Sequence, residues 1–205
     1  MDVPTSLMET MFIISGALLY PAILALLALV VWTLMAFGQF ISEYAGRSRN
    51  LEQLRNGCKQ SVSLLEQRSY DDAAGVLTAS GSNPLLGSFL GDLTKLFGSD
   101  RFSVESEKLL QDYEIRISAE LERLKILTRT APMLGLMGTL IPLGPALMGL
   151  SAGNIEALAS NLVIAFSTTV LGLFIGGIAY AILLTKRRWY LQDLSDMEYV
   201  ARMIA

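Results

Sequence analysis

An all-α integral membrane protein with three transmembrane helices, two of them extended into a cytoplasmic helical domain, follows from three observations. First, the 205-residue chain contains three long apolar runs without a charge, Met11–Phe37, Ala131–Leu150 and Leu158–Leu184, of 27, 20 and 27 residues. A bilayer core of about 30 Å takes about 20 helical residues to cross, so each run is long enough. Second, none of the runs alternates apolar and polar positions at period two, which leaves helices as the spanning structure. Third, 52% of residues are hydrophobic and only 17% are charged, against about 25% charge in an ordinary soluble domain.

Each element can be justified in chain order. Residues 1–10 form a short extracytoplasmic N-terminus, and 11–40 the first transmembrane helix. That run is no cleavable signal peptide, because it lacks a basic leading segment and its apolar stretch is too long. Residues 41–130 form a charged, helical cytoplasmic domain. Ser42–Arg68 reads as a continuation of the first span. A turn cluster follows at Gly75, Gly81 and Asn83-Pro84, where Asn as N-cap and Pro at the first helical position start a short apolar helix over Leu85–Phe97. Gly98-Ser99-Asp100 breaks it. From Ser103, apolar residues at Leu110, Tyr113, Ile117, Leu121 and Leu124 recur every three or four positions, the stripe of an amphipathic helix. It continues into the second span, 131–150, with a bend expected at Pro132. Residues 151–157 make a short extracytoplasmic loop, 158–185 the third span, and 186–205 a cytoplasmic C-terminal amphipathic helix marked by Leu194, Met197, Val200 and Ile204. Both stripes are expected to pack within the chain's own cytoplasmic bundle.

All 16 Lys and Arg residues lie in two segments, twelve within 41–130 and four within 186–205. Basic residues stay on the cytoplasmic side, so a three-span chain has its N-terminus outside and its C-terminus in the cytoplasm of the inner membrane. Lys186, Arg187, Arg188 and Trp189 form a charged and aromatic membrane-interface anchor. A net charge of −3 gives no reason to expect nucleic acid. The chain has no His and one Cys, Cys58, so no internal disulfide, no Cys/His metal site and no cofactor is expected; Cys58 reads as a small filler in a helix. With no metal-ligand cluster, nucleophile motif or phosphate loop, the chain is not expected to be an enzyme.

The spans are informative by what they lack. None contains Asp, Glu, Lys, Arg or His, although an ion path ordinarily places an ionisable group at membrane depth. The chain either moves no ion or takes its charged group from a second protein. The polar side chains available are Thr139 in the second span and Ser167, Thr168 and Thr169 in the third. Such hydroxyls bond back to their own helix or join helices, and an ion-pathway role stands beside that reading. Gly172 and Gly176 form a GxxxG on the face of Thr168, while Ala131, Gly135 and Thr139 repeat every four residues. Both faces allow close helix approach. Pro132, Pro142 and Pro145 imply bends in the second span.

At these two spans the sequence resembles the TolQ/ExbB/MotA family. Ala131-Pro132-Met133-Leu134-Gly135-Leu136-Met137-Gly138-Thr139 is similar to its A-P-x-L-G-L-x-G-T pattern. Ala165-Phe166-Ser167-Thr168-Thr169-Val170-Leu171-Gly172-Leu173 is similar to A-x-x-x-T-x-x-G-L. The likeness covers residues 125–190 and the layout the whole chain, with three spans as in the TolQ/ExbB branch and not the four of the flagellar branch. It implies a homo-oligomeric ring of five subunits in the lipid bilayer, around two copies of a single-span ExbD/TolR/MotB-like partner whose membrane Asp accepts H+ or Na+. Thr139 and Thr169 then line the pore, Ser167 and Thr168 rank below them, and Gly135, Gly138, Gly172 and Gly176 are helix-packing positions. Ile164 stands where many ExbB-like sequences carry Glu. The extra hydroxyls at 167 and 168 are oxygen ligands of the kind a hard cation such as Na+ takes.

One geometric condition accompanies this reading. Thr139 lies eight residues beyond Ala131, about 12 Å, and Thr169 lies fifteen before Leu184, about 22 Å. They sit level only if the third helix projects beyond the membrane before its basic cluster. The competing class is a non-conducting membrane scaffold or an accessory subunit of a transporter, which predicts no co-purifying single-span protein with a membrane Asp.

Overall fold

The computed structural model describes residues 3–204. Seven helices make up these residues, without a strand: α1 (Val3–Ala17), α2 (Leu19–Gly46), α3 (Leu51–Glu66), α4 (Tyr70–Ala79), α5 (Pro84–Thr94), α6 (Phe102–Ser151) and α7 (Ile155–Ile204). Three stretches are long and apolar enough to cross a membrane, Ser6–Gly46, Phe102–Ser151 and Ile155–Ile204, so the all-α, three-span fold class holds. The chain divides into two compact units: the residues up to Gln39 with Arg123–Leu183, and Phe40–Glu122 with the residues from Leu184 onward. Helices α2, α6 and α7 contribute to both.

The helix boundaries differ from the sequence reading in several places: Gly75, read as part of a turn cluster, lies inside α4, α5 ends at Thr94 and not at Phe97, and three further differences have local reasons. The N-terminal segment is helical from Val3 and is interrupted at Leu18. Pro21 has no N–H to give the carbonyl of Ala17, so the chain tightens there with Leu18 N–H bonded to Ser15 O, and α2 restarts with Ala22 N–H on Leu18 O. The first span does not run on to Arg68. It ends at Gly46, and α3 starts afresh at Leu51 behind Asn50, whose side chain accepts from Gln53 N–H at 3.0 Å. The third span and the C-terminal amphipathic segment are a single 50-residue helix.

Other expectations hold. Asn83 caps α5, with extended φ/ψ of −145° and 162° and its side chain accepting from Leu86 N–H, and Pro84 follows at the first helical position. Gly98, at φ +82°, provides the left-handed turn between α5 and α6 that a side chain would strain. Helix α6 carries the amphipathic segment into the second span without interruption for 50 residues, with Pro132, Pro142 and Pro145 inside it.

In the first unit, apolar helices leave most of their surface uncovered by the chain itself. Only 11% of the most apolar window of the N-terminal span is buried, and 22% and 33% of those in α6 and α7. Met133, Leu136, Leu140, Phe166, Val170 and Leu173 are all more than half exposed. A soluble monomer keeps its contiguous apolar patches to a few hundred Å², so this surface belongs against lipid or other helices. Its own core is narrow: Leu26 of α2, Ala131 of α6 and Ile175 of α7, flanked by Leu29, Val30 and Leu134.

The second unit has a conventional core. Leu54 and Cys58 of α3, Leu77 of α4, and Leu86, Phe89, Leu90 and Leu93 of α5 pack with Tyr113 of α6 and with Met197, Val200 and Ala201 of α7. The start of the α6 stripe, Leu110 and Tyr113, and most of the α7 stripe, Met197, Val200 and Ile204, therefore pack inside this bundle. Phe89 is fully buried and meets Tyr113 edge-on, with centroids 5.3 Å apart. Helices α3 and α4 approach until a Cβ on Gly57 would lie 2.5 Å from Cβ of Ser80. Phe89→Ala should lower the unfolding free energy of this unit by about 3–5 kcal/mol, the usual loss for a buried Phe truncated to Ala. Chemical denaturation of the detergent-solubilised chain, followed by circular dichroism, measures it.

Candidate ion-pathway site and its polar surroundings

Helices α6 and α7 meet backbone to backbone where the glycines lie. A Cβ on Gly172 would come within 2.6 Å of Ala131 O and 2.9 Å of Gly135 Cα. One on Gly135 would meet Thr168 O at 3.0 Å, and one on Gly176 the Pro132 ring at 2.7 Å. A Cβ on Gly138 would collide with the Thr168 side chain. These four positions have no room for any larger residue, and the small faces of the two spans are the faces in contact.

This contact sorts the hydroxyls. Thr168 is 6% exposed and lies against Gly138, with Oγ1 donating within its own helix to Ile164 O or Ala165 O, each at 3.0 Å. Thr169 is half-buried and reaches across to Gly135 O at 3.4 Å. Thr139 is half-buried and donates to Leu136 O at 2.7 Å. Ser167 is exposed and donates to Val163 O at 2.7 Å. Thr168 is thus a packing residue, while Thr139 and Thr169 retain partly open hydroxyls. The pairing of Gly138 with Thr168 and of Gly135 with Gly172 sets an antiparallel register in which Thr139 and Thr169 lie within about one turn of each other. The condition on their level is met by the same register: Pro132, at the start of the second run, lies against Gly176, so the rest of the third run extends beyond that level. Ile164 is 37% exposed and offers no carboxyl at its position.

The sequence reading passed over Thr33 of α2. It is 3% exposed, and its hydroxyl is the one buried side-chain polar atom without a hydrogen-bond partner among the described residues. Nothing in an apolar run distinguishes such a Thr from one bonded to its own helix.

In the second unit the basic cluster after the third span divides. Lys186 is 5% exposed. Its ammonium lies 2.7 Å from Glu43 of α2 and 2.7 Å from Glu120 of α6, and donates to the Tyr190 hydroxyl at 3.2 Å. All three ammonium protons have acceptors. The Tyr190 hydroxyl in turn donates to Glu120 at 2.8 Å. Trp189 is half-buried, stacked on Phe40 at 5.5 Å and covered by the Arg47 guanidinium at 5.0 Å. Lys186 and Trp189 thus face protein, whereas Arg187 and Arg188 are exposed. The anchor read from sequence has only its two arginines on the surface.

Two further acids on α7 went unnoticed in the sequence. Asp193, fully buried, receives both arms of Arg47, at 2.7 and 3.0 Å, and Asn83 Nδ2 at 2.9 Å. Asp196 receives Arg49 Nε and Nη2 at 3.0 and 2.9 Å. These forks hold the link between α2 and α3 against α7 and explain why the first helix stops at Gly46. The available signal was position: Asp193 falls four and seven residues before Met197 and Val200, on the face that goes inside.

Protonation follows from these contacts. Burial pushes the Glu120 carboxyl up, but the hydrogen bonds from Lys186 and Tyr190 outweigh it and hold it below its ordinary value. Burial pulls the Lys186 ammonium down, and Glu120 and Glu43 more than reverse this. Burial and the neighbouring carboxylates keep the Tyr190 phenol protonated. For Asp193, burial pushes the carboxyl up against the opposing pull of Arg47.

A multi-pass helical membrane protein, with two glycine-locked spans and a charged helical bundle, is the class these features define. Residues 98–198, which include both of those spans, match the family model of the MotA/TolQ/ExbB proton channel family. Over these residues, just under half of the chain, the sequence is similar to that family, and the match supports a proton-channel role. A comparison with curated proteins found no match.

Two predictions follow from this geometry. Stability from the Lys186 cluster should be full between about pH 4.5 and 10.5, the ordinary values of Glu and Lys. It should fall below that window as Glu120 protonates through its lowered value, and above it as Lys186 deprotonates through its raised one. In Lys186→Met, Glu43 and Glu120 face each other without a cation, so the acid side should reverse and the variant should gain stability as pH falls from neutrality. Melting temperature against pH tests both. Thr33→Val removes an unpaired buried hydroxyl at constant shape and should leave stability unchanged or raise it by about 1 kcal/mol; a loss in the same denaturation assay would mean that the hydroxyl has a partner in the membrane.

Proposed function

We propose that the chain is the channel-wall subunit of an ion-driven membrane motor, assembled as a ring of five around a dimer of a single-span ExbD/TolR/MotB-like protein. One observation carries this reading. The family segment 98–198 includes both glycine-locked spans, yet no span contains an ionisable side chain other than tyrosine. A channel wall of this composition needs a charge from elsewhere, and a membrane Asp on a partner helix supplies it. The exposed apolar surface of the first unit suits contact with like subunits, the partner helix and lipid.

In this mechanism the partner's Asp takes up the ion on one side of the membrane, becomes neutral, and loses the ion on the other. The apolar wall makes the charged carboxylate costly away from polar groups. The half-open hydroxyls of Thr139 and Thr169 provide the places where it is tolerated. The ring of like subunits gives a succession of equivalent positions, so each discharge favours a step to the next. Protons are the favoured ion, in line with the family. The N-terminus lies outside and the C-terminus in the cytoplasm, as the basic residues direct. The partner's outer part performs the work, and H+ or Na+ flux through the inner membrane drives it. With Ile164 in place of the Glu found in many relatives, the partner's carboxylate is the one acid on the route.

Thr169→Val keeps the shape and removes the hydroxyl. In vesicles containing the chain co-purified with its single-span partner, proton uptake read by an internal pH dye should fall about 10- to 100-fold, the effect of leaving a buried charge short of one hydrogen bond of roughly 1.5–3 kcal/mol. Undiminished uptake in that variant removes the pore role of Thr169. Passage of current by the chain without any partner removes the proposal as a whole.

A further inference from the structure

The second unit exposes two faces of opposite charge that its own fold leaves unpaired. One is on α7. Arg187 and Arg188 are exposed, and among the described residues neither makes an ion pair, whereas Lys186, Arg47 and Arg49 all do. Both border an open cleft of about 430 Å³, together with Arg49 and the side chains of Leu184 and Leu191. Arg49 is committed to Asp196 through Nε and Nη2. The cleft therefore keeps an excess of two positive charges. Leu184 and Leu191 stand two helical turns apart and are 49% and 60% exposed.

The other face is on α6. Glu107, Glu114 and Glu122 follow one another at seven and eight residues, which sets them along one side of the helix over about 22 Å. All three are exposed, and among the described residues none makes an ion pair. Lys108, which borders that side, is held by Asp112. Ile115 lies between the last two glutamates and is 63% exposed. Tyr113 and Ile117, on the other side of α6, are the residues buried in the unit.

These faces agree in sign, length and apolar content. Two arginines stand between two leucines on α7, and two glutamates flank an isoleucine on α6. Guanidinium matches a carboxylate through paired N–H donors. Within one chain the two faces make no ion pair with each other, so each is free for another molecule. They are also different patches of the same surface. A contact between copies that joins one patch to the other is therefore head-to-tail, the kind that closes into a ring.

We propose that the acidic face of α6 docks on the arginine cleft of a second copy of the chain, with Glu114 and Glu122 on Arg187 and Arg188 and Ile115 between Leu184 and Leu191. The contact rests on the reading of the chain as a ring of like subunits and names the surfaces by which those subunits meet. It does not depend on whether the ring conducts ions.

The test uses the full chain in membranes, with I115C/L191C oxidised by copper phenanthroline and disulfide-linked multimers read on a non-reducing gel. Cys58 is fully buried and stays out of the reaction. Linked multimers of three or more copies should form from I115C/L191C, and neither I115C nor L191C alone should give them. Adding R187E/R188E should lower their yield about tenfold, the scale of two surface ion pairs turned repulsive. Adding E114R/E122R to that variant exchanges the charges and should restore the yield. Circular dichroism checks that each variant keeps its helices, and R187Q/R188Q stands in if the reversed pair does not fold. No linked multimers from I115C/L191C, an undiminished yield without the arginines, or no recovery on charge exchange overturns the proposal. Native mass spectrometry of the wild type counts copies separately. A multi-copy complex in which I115C/L191C does not link removes this contact and leaves the ring standing, whereas a monomer removes both.

Discussion

The close approach of α6 and α7 at Gly135 and Gly172 is the contact on which the membrane part depends. In hydrocarbon, helices gain nothing by hiding apolar side chains from one another's surroundings, so association rests on packing and on what the backbones can reach. Here a Cβ on Gly172 would lie 2.6 Å from a carbonyl oxygen of the opposing helix. That distance fixes register as well as separation. Gly138 must face Thr168, and Gly176 must accept the Pro132 ring. Thr139 and Thr169 come to nearby levels as a consequence, although nothing binds one to the other. The prolines fit the same arrangement. Pro132 leaves the Thr128 carbonyl without its helical donor, at a place where the opposing helix is a glycine.

Outside the spans the organising force changes from close packing to charge compensation. Helix α7 presents Lys186, Tyr190, Asp193 and Asp196 along one side, and each finds a partner on another element. Ion pairs taken out of water need full hydrogen bonding to offset desolvation. The Lys186 ammonium and the Asp193 carboxylate both receive it. Removing one member leaves its partners charged and buried, which is why such clusters specify one arrangement more sharply than they add stability. The bidentate forks from Arg47 and Arg49 also terminate the first long helix, because the chain between Gly46 and Leu51 must turn to bring both guanidiniums to α7.

The proposed motor function and the chemistry of the spans are linked by an absence. A wall with no ionisable group other than tyrosine in its apolar runs is a poor conductor alone and a suitable track for a charge carried by another helix. The hydroxyls of Ser167 and Thr168 are satisfied within their own helix, and only Thr169 extends to its neighbour. The three consecutive hydroxyls are therefore not equivalent.

Three spans, the amphipathic stripes, the Asn83-Pro84 helix start and the small-residue faces were all legible in the sequence. Each is a local property: run length against bilayer thickness, residue period against helix pitch, a cap against the first unpaired N–H groups. The family pattern, carried by contiguous residues, was legible for the same reason. Which hydroxyl of Ser167-Thr168-Thr169 enters the contact depended on where α6 meets α7. The inward turn of Lys186, beside the exposed Arg187 and Arg188, depended on Glu43 and Glu120, which lie 143 and 66 positions away in a chain whose charges carry no label of their partners. Helix ends at Gly46 and Leu18 were likewise decided by pairing and by a missing donor three residues on. The sequence by itself determined which segments are helical and which are at home in lipid, because solvation and helix propensity act residue by residue. Tertiary structure alone decided which polar side chains are paired, packed or left open, because that depends on distances between segments remote in the chain.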